Sequence, residues 1–227
     1  MRFKAIFMDN DGTLMDFKAG EENALRGILD MLGLDREEGA KAYKRINDQC
    51  WKDFEKGLIT QPQLRIRRFR ELLEQFECNA SSEDTAKAYE EALSRQAILL
   101  PGSVEVVKKI SEKLPVLILT NGISHIQHGR IDSSPLAPYL SGLLISEEIG
   151  APKPAPDMYL KALEMMNIKP HEALMIGDSL TSDIQGAINA GVPACWYNPG
   201  HKEAPEGMKI DYIIDRMEQM AEAALAD

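Results

Sequence analysis

Cysteine is scarce in this chain. Cys50, Cys78 and Cys195 are the three thiols in 227 residues, odd in number and widely spaced. No Cys-x-x-Cys occurs, so neither a thiolate zinc site nor a disulfide framework is indicated, and idle or buried thiols in a reducing compartment are the expectation. Positive charge is also in short supply: 26 Lys and Arg stand against 36 Asp and Glu, a net charge of −10. That balance argues against a nucleic-acid polymer as partner, because a phosphate backbone demands a basic face. It leaves room for a small phosphate ester, provided a metal ion or a lysine makes a local positive site. Long apolar runs are missing, so no membrane span is expected. The opening Met1-Arg2-Phe3-Lys4-Ala5-Ile6 is too short an apolar run for a signal peptide, and a cytoplasmic protein is expected.

The most informative residues follow that opening. Asp9-Asn10-Asp11-Gly12-Thr13 ends the run Phe3–Met8 and sets two carboxylates two residues apart where a short strand runs into a Gly-Thr turn. Strand alternation points such a pair toward one side. One carboxylate can then attack a substrate while the other moves protons. With each residue type at ~5% usage, Asp-x-Asp-Gly-Thr arises by chance in about one chain in a thousand of this length. The competing reading is an acidic turn closing a hairpin, since Asp-Gly is a common turn dipeptide.

From about Ala19 to Gln96 the pattern is helical, with stripes at Ala24, Leu25, Ile28, Leu29 and Leu32, at Tyr43, Ile46, Cys50, Trp51 and Phe54, and at Phe69, Leu72, Leu73 and Phe76. Ser81 before Glu83-Asp84 reads as the N-cap of a fourth helix carrying Tyr89 and Leu93. After Pro101-Gly102, short apolar runs at 116–119, 143–146, 173–176, 194–197 and 212–214 alternate with helical segments at about 103–114, 156–167 and 181–190. This is an α/β pattern of parallel strands buried on both faces. Ligands in such sheets bind beyond the carboxyl ends of the strands.

Polar clusters stand at those ends or in the loops that follow: Asp9/Asp11, Thr120-Asn121, Lys153 in Ala-Pro-Lys-Pro, and Asp178/Asp183 in Gly177-Asp-Ser-Leu-Thr-Ser-Asp183. Each alone is an ordinary turn, loop or helix cap. Together they fit phosphoryl transfer. Hard magnesium prefers oxygen ligands, and Asp9 and Asp178 with a backbone carbonyl would supply them. Lys153, with Thr120 and Asn121, would hold the phosphoryl oxygens. Asp9 would form an aspartyl-phosphate and Asp11 would carry protons.

These residues resemble the motifs of the haloacid dehalogenase-like hydrolase superfamily, in its phosphatase branch. Asp9 to Thr13 match Asp-x-Asp-x-Thr, Thr120 the second motif, Lys153 the third and Gly177 to Asp183 the acidic fourth. The resemblance spans the chain. It implies a Rossmann-like core at 1–15 and 99–227, a helical cap inserted at 16–98, and Mg2+ as cofactor. It makes Asp9 nucleophile and metal ligand. Asp11 becomes acid/base and a backbone metal ligand, Asp178 a metal ligand, and Asp183 a nearer or outer one. The stretch from Trp51 to Arg68-Phe69, the run Ile145–Gly150 and the segment from Asp183 to Pro199 resemble bacterial pyrimidine 5'-nucleotidases. That likeness implies hydrolysis of nucleoside monophosphates. Phosphatases of sugar phosphates or phosphoglycolate are the alternative. A 2-haloacid dehalogenase needs no second acid, and a binding module would not keep all four clusters.

Trp51 with Phe54 could stack on a base, although their spacing is also that of helix core. Arg65, Arg67, Arg68 and Arg70 read as a solvated basic face, with Arg68 the candidate for touching substrate. His125 and His128 read as helix surface. Asn10 is more polar than usual at its place and is expected to point away from the phosphate with little effect. The two prolines in 131–138 leave the local geometry there open. A monomer or homodimer acting on a small phosphorylated substrate is expected.

Overall fold

The computed structural model describes residues 2–226. The chain divides into two compact units, Met1–Phe17 with Ala97–Asp227, and Lys18–Gln96. The first contains β1 (Ala5–Met8), α5 (Ser103–Ser111), β2 (Val116–Thr120), α6 (Ser124–Asp132), β3 (Gly142–Ile145), α7 (Ser146–Ile149), α8 (Asp157–Met166), β4 (Ala173–Gly177), α9 (Gln185–Ala190), β5 (Ala194–Tyr197), β6 (Tyr212–Ile214) and α10 (Gln219–Ala224). The second is built from α1 (Phe17–Leu32), α2 (Arg36–Glu55), α3 (Gln61–Gln75) and α4 (Ser82–Ser94). Among the described residues no helix is long and apolar enough to cross a membrane.

The strands form one six-stranded sheet in the order β3-β2-β1-β4-β5-β6, every pairing parallel. β1 is central, between β2 and β4, so the hairpin alternative for Asp9–Thr13 is excluded. Successive residues face opposite sides of a strand, and both sides here are apolar. Ile6, Met8, Val116, Ile118, Leu174 and Ile176 face one core with Val107 and Ile110 of α5 and Met220 of α10. Ala5, Phe7, Leu117, Leu119 and Met175 face the other with Tyr159 and Ala162 of α8 and Ala187 of α9. Two buried faces explain why the strands read as continuous apolar runs. The fold is an α/β, Rossmann-like sheet, and its order reverses direction between β1 and β4, where such sheets open a crevice at their carboxyl ends.

The helical segment expected at 181–190 is divided. Leu180–Ile184 form a wide π-helical turn before α9 begins. The Ser179 carbonyl accepts from both the Asp183 and the Ile184 N–H, at 3.0 and 3.1 Å, which widens the turn by one residue. In 131–138 the prolines end α6 and lead into a single 3-10 turn at Ala137–Tyr139.

In the helical unit, Ser81 caps α4 by accepting from the Asp84 N–H at 3.1 Å. Thr60 and Gln63 cap α3 reciprocally. The core gathers around Tyr43, Phe69 and Tyr89, whose ring centroids lie 5.1 to 5.6 Å apart. Arg65 pairs with Glu90, and Arg67 with Asp53 and Glu71; Arg70 lies 3.9 Å from Glu74. Only the Arg70 pair is solvated as expected; the Arg65 and Arg67 pairs are partly buried, with Glu90 enclosed, so they fasten α3 to its neighbours rather than forming an open basic face. Arg68 differs, being buried at 3% exposure.

Leu117 is fully enclosed in β2. Leu117→Ala is expected to cost about 2–5 kcal/mol of unfolding free energy, read from urea denaturation. A loss below about 1 kcal/mol would contradict the packing of that face.

Candidate active site

Asp9 extends β1 by one pairing, its N–H donating to Ile176 O at 2.9 Å. Thr120 ends β2, and Asp178 follows Gly177 at the end of β4. The parallel sheet therefore brings residues from distant parts of the sequence to one edge, on either side of the direction reversal.

Lys153 joins them. Its ammonium donates to Asp9 Oδ1 at 2.7 Å, Asp183 Oδ1 at 2.7 Å and Leu119 O at 2.6 Å. Its loop is tied down by Asn121, which donates from Nδ2 to Lys153 O and accepts the Lys153 N–H on Oδ1, both at 2.8 Å. The Asn121 side chain is thus committed to the Lys153 loop, and toward a phosphate it has its main chain to offer. The buried Thr120 hydroxyl accepts the Gly122 N–H at 3.2 Å. Thr13 Oγ1 lies 3.3 Å from Asp9 Oδ2 and 3.4 Å from Asp178 Oδ1, bridging the two carboxylates.

Gly12 has φ +88°, and a Cβ there would stand 2.7 Å from Asp178 Oδ2. Glycine is required both for the left-handed turn and for the close approach of the acidic loop. On that loop, Asp183 Oδ2 accepts the Ser179 N–H at 3.0 Å. The Asp183 carbonyl accepts from Tyr159 at 2.9 Å. The Trp196 indole N–H donates to Asp178 O at 2.9 Å.

Carboxylate oxygens of Asp9, Asp178 and Asp183 lie within 4.8 Å of one another. Burial, then Asp183, raises the Asp9 carboxyl well above the usual carboxylate range, and Lys153 opposes them. Asp178 is pushed up to about 6, by burial first and Asp183 next. Burial alone would lower the Lys153 pKa, but Asp183 and Asp9 outweigh it and hold the ammonium above its ordinary value. The ion pairs at this edge set Asp9 and Asp183 on Lys153, and Asp11 on Arg130. With Asp178, the four carboxylates face two cations, and an all-oxygen donor set short of two positive charges fits a hard divalent cation.

Asp11 is held apart from this cluster. Arg130 Nη1 donates to its Oδ1 at 2.5 Å, and Gln127 Nε2 to its Oδ2 at 2.7 Å. Sequence reasoning did not find Arg130 or Gln127. The available signal was an Arg and a Gln three apart on α6, both buried. Asn10, expected to point away from the phosphate with little effect, donates from Nδ2 to Gln127 Oε1 at 2.7 Å and lies 3.4 Å from Asp11 Oδ1, so it joins the same network.

The remaining candidates lie elsewhere. His128 pairs with Glu148 at 2.9 Å on the surface, and His125 is exposed. Trp51, half-buried, meets Phe54 edge-on at 5.8 Å in the helical unit. Arg68 lies over Phe69 and Tyr89, and its Nη1 donates to Asn47 Oδ1 at 3.3 Å.

A profile of haloacid dehalogenase-like hydrolases matches residues 3–191. The hydrolase YfnB of Bacillus subtilis is 31% identical over 96% of this chain and 94% of its own. Its crystal structure, described as bound to magnesium and as showing interdomain movement, superposes with a TM-score of 0.90 over 99% of this chain and all of that one. The pyrimidine 5'-nucleotidase YjjG of Escherichia coli is 33% identical over 97% of both chains. The pyrimidine 5'-nucleotidase PynA of Streptococcus pneumoniae is 36% identical over 89% of this chain and 87% of its own. With these matches spanning the sheet and the acidic edge alike, the chain belongs to the haloacid dehalogenase-like hydrolases.

Proposed function

We propose that this enzyme is a Mg2+-dependent phosphomonoesterase that hydrolyses nucleoside 5'-monophosphates, pyrimidine ones first, through an aspartyl-phosphate. The observation that carries the chemistry is the pairing of Asp9 with Lys153 beside Asp178, at the point where the sheet reverses direction. Similarity to two pyrimidine 5'-nucleotidases along most of the chain supports the substrate class.

Asp9 and Asp178, with the Asp11 main-chain carbonyl, would hold the metal. Asp183 serves as an outer ligand, because both its oxygens already accept hydrogen bonds from Lys153 and the Ser179 N–H. Bound there, Mg2+ supplies the positive charge that lets a carboxylate approach a phosphate and polarises the phosphoryl oxygens. Lys153 Nζ keeps Asp9 oriented and offers a second positive charge to the phosphoryl group, with the Thr120 hydroxyl and the Asn121 main chain beside it. An Asp9 oxygen attacks phosphorus. The bond from phosphorus to the ester oxygen breaks, and Asp11 gives that oxygen its proton. Asp11 then takes a proton from the water that attacks phosphorus, and Asp9 leaves as a free carboxylate. The helical unit would act as the cap that selects substrate, with Trp51 its candidate contact; Arg68, expected beside it, is instead buried over Phe69 and Tyr89 in that unit's core.

Asp9→Asn is expected to lower phosphate release about 10³-fold or more while the melting curve persists; turnover at the wild-type rate would sink the mechanism. Asp183→Asn is expected to raise the Mg2+ concentration for half-maximal activity by roughly 10–100-fold, measured after EDTA treatment and Mg2+ titration, and an unchanged requirement would remove Asp183 from the metal's surroundings. A panel of nucleoside monophosphates and sugar phosphates tests the substrate class. Higher kcat/KM for a sugar phosphate than for every nucleotide would retire the nucleotidase reading.

A further inference from the structure

Asp11 is the proton carrier in the reading above, and a proton carrier works only if its carboxylate is aimed. An ionised aspartate has four lone-pair sites on two oxygens and two torsions that can turn them. Here both oxygens are gripped from one side. Arg130 Nη1 holds Oδ1 at 2.5 Å, and Gln127 Nε2 holds Oδ2 at 2.7 Å. The Asp11 side chain is 22% exposed while that of Arg130 is fully buried. The grip therefore comes from the protein side and leaves the carboxylate open on another.

The two donors are themselves fixed. Gln127 and Arg130 lie three apart on α6, on the same face of the helix. The Gln127 amide has one workable orientation: its Oε1 accepts from Asn10 Nδ2 at 2.7 Å, so its Nε2 must turn to Asp11. A flipped amide would set its carbonyl against the carboxylate. Space for that amide exists because residue 122 is glycine, where a Cβ would come 2.1 Å from Gln127 Nε2. Arg130 stacks over the Phe17 ring at 5.4 Å, which restricts the guanidinium plane.

We infer that Gln127 and Arg130, locked by Asn10, Gly122 and Phe17, are positioning residues that aim the Asp11 carboxylate for proton transfer to and from the ester oxygen and the attacking water. The inference rests on the phosphomonoesterase reading. It gives the unusual Asn10 a role: it acts mainly through the glutamine, at 2.7 Å, with a longer direct approach of 3.4 Å to Asp11 Oδ1.

Leaving-group dependence separates aiming from general damage. A nucleoside alkoxide needs a proton to depart, whereas 2,4-dinitrophenolate leaves without one. In a single turnover, with enzyme in excess and Mg2+ present, Gln127→Leu is expected to slow nucleoside release from a pyrimidine nucleoside 5'-monophosphate about 10²-fold. Dinitrophenolate release from 2,4-dinitrophenyl phosphate should change by less than about threefold. Arg130→Lys keeps the charge and loses the fork, and should fall between Gln127→Leu and wild type with the same selectivity. Because a shortened side chain at a buried arginine can unfold the protein, Gln127→Leu with its melting temperature is the deciding variant. Equal slowing of both esters, or no slowing of either, overturns the inference. Wild-type enzyme that releases neither leaving group, or Asp9→Asn enzyme that releases both, overturns the phosphatase reading and the inference with it.

Discussion

The site depends on one buried cation. The Lys153 ammonium, 1% exposed, is shared between Asp9, Asp183 and the end of β2. An ion in that position is tolerable only when its partners fill every hydrogen-bonding direction, and three acceptors around one ammonium do so. In return the lysine ties the loop that carries it to strand ends the sheet already holds side by side: the end of β1, the end of β2 and the turn after β4. It also suppresses part of the repulsion that would otherwise hold Asp9 and Asp183 apart. Neutralising one carboxylate leaves Lys153 its other acceptors, so the cost falls on the chemistry of this edge more than on the fold.

The backbone beneath it is less particular. A parallel sheet buried on both faces needs apolar runs and crossover helices, and many sequences provide those. Activity is a matter of which polar groups stand at the carboxyl edge. In the reaction proposed for this edge, the second acid, Asp11, and the buried pair that grips it would serve a phosphate ester, where a proton must reach a departing oxygen.

Much of this was legible in the sequence. The apolar runs located all the strands because burial on both sides leaves no alternation to misread. Ser81 announced α4 because N-capping is local chemistry. Asp9, Thr120, Lys153, Asp178 and Asp183 stood out because each sits at a strand end or in the loop beyond it. What remained hidden depends on contacts between residues far apart. Gln127 and Arg130 lie 116 and 119 residues from the carboxylate they hold. Nothing nearby in sequence marks a helix face as turned toward Asp11. The Asn10 contact is hidden for the same reason, since its partner Gln127 lies 117 residues away. Arg68 belonged to a basic run, and packing against Phe69 and Tyr89 separates it from the partly buried, ion-paired Arg65 and Arg67 and the exposed Arg70. The division of the 181–190 helix follows from two N–H groups sharing the Ser179 carbonyl, a detail that periodicity does not resolve.

The bond from the Trp196 indole to the Asp178 main chain has a use beyond anchoring the acidic loop. The protein contains two tryptophans, Trp196 in the sheet unit and Trp51 in the helical one. Each unit therefore carries its own fluorophore. The emission of Trp196 senses the electric field of the carboxylate loop directly, while that of Trp51 senses the helices. The enzyme thus contains an optical probe on either side of its division, with no label required.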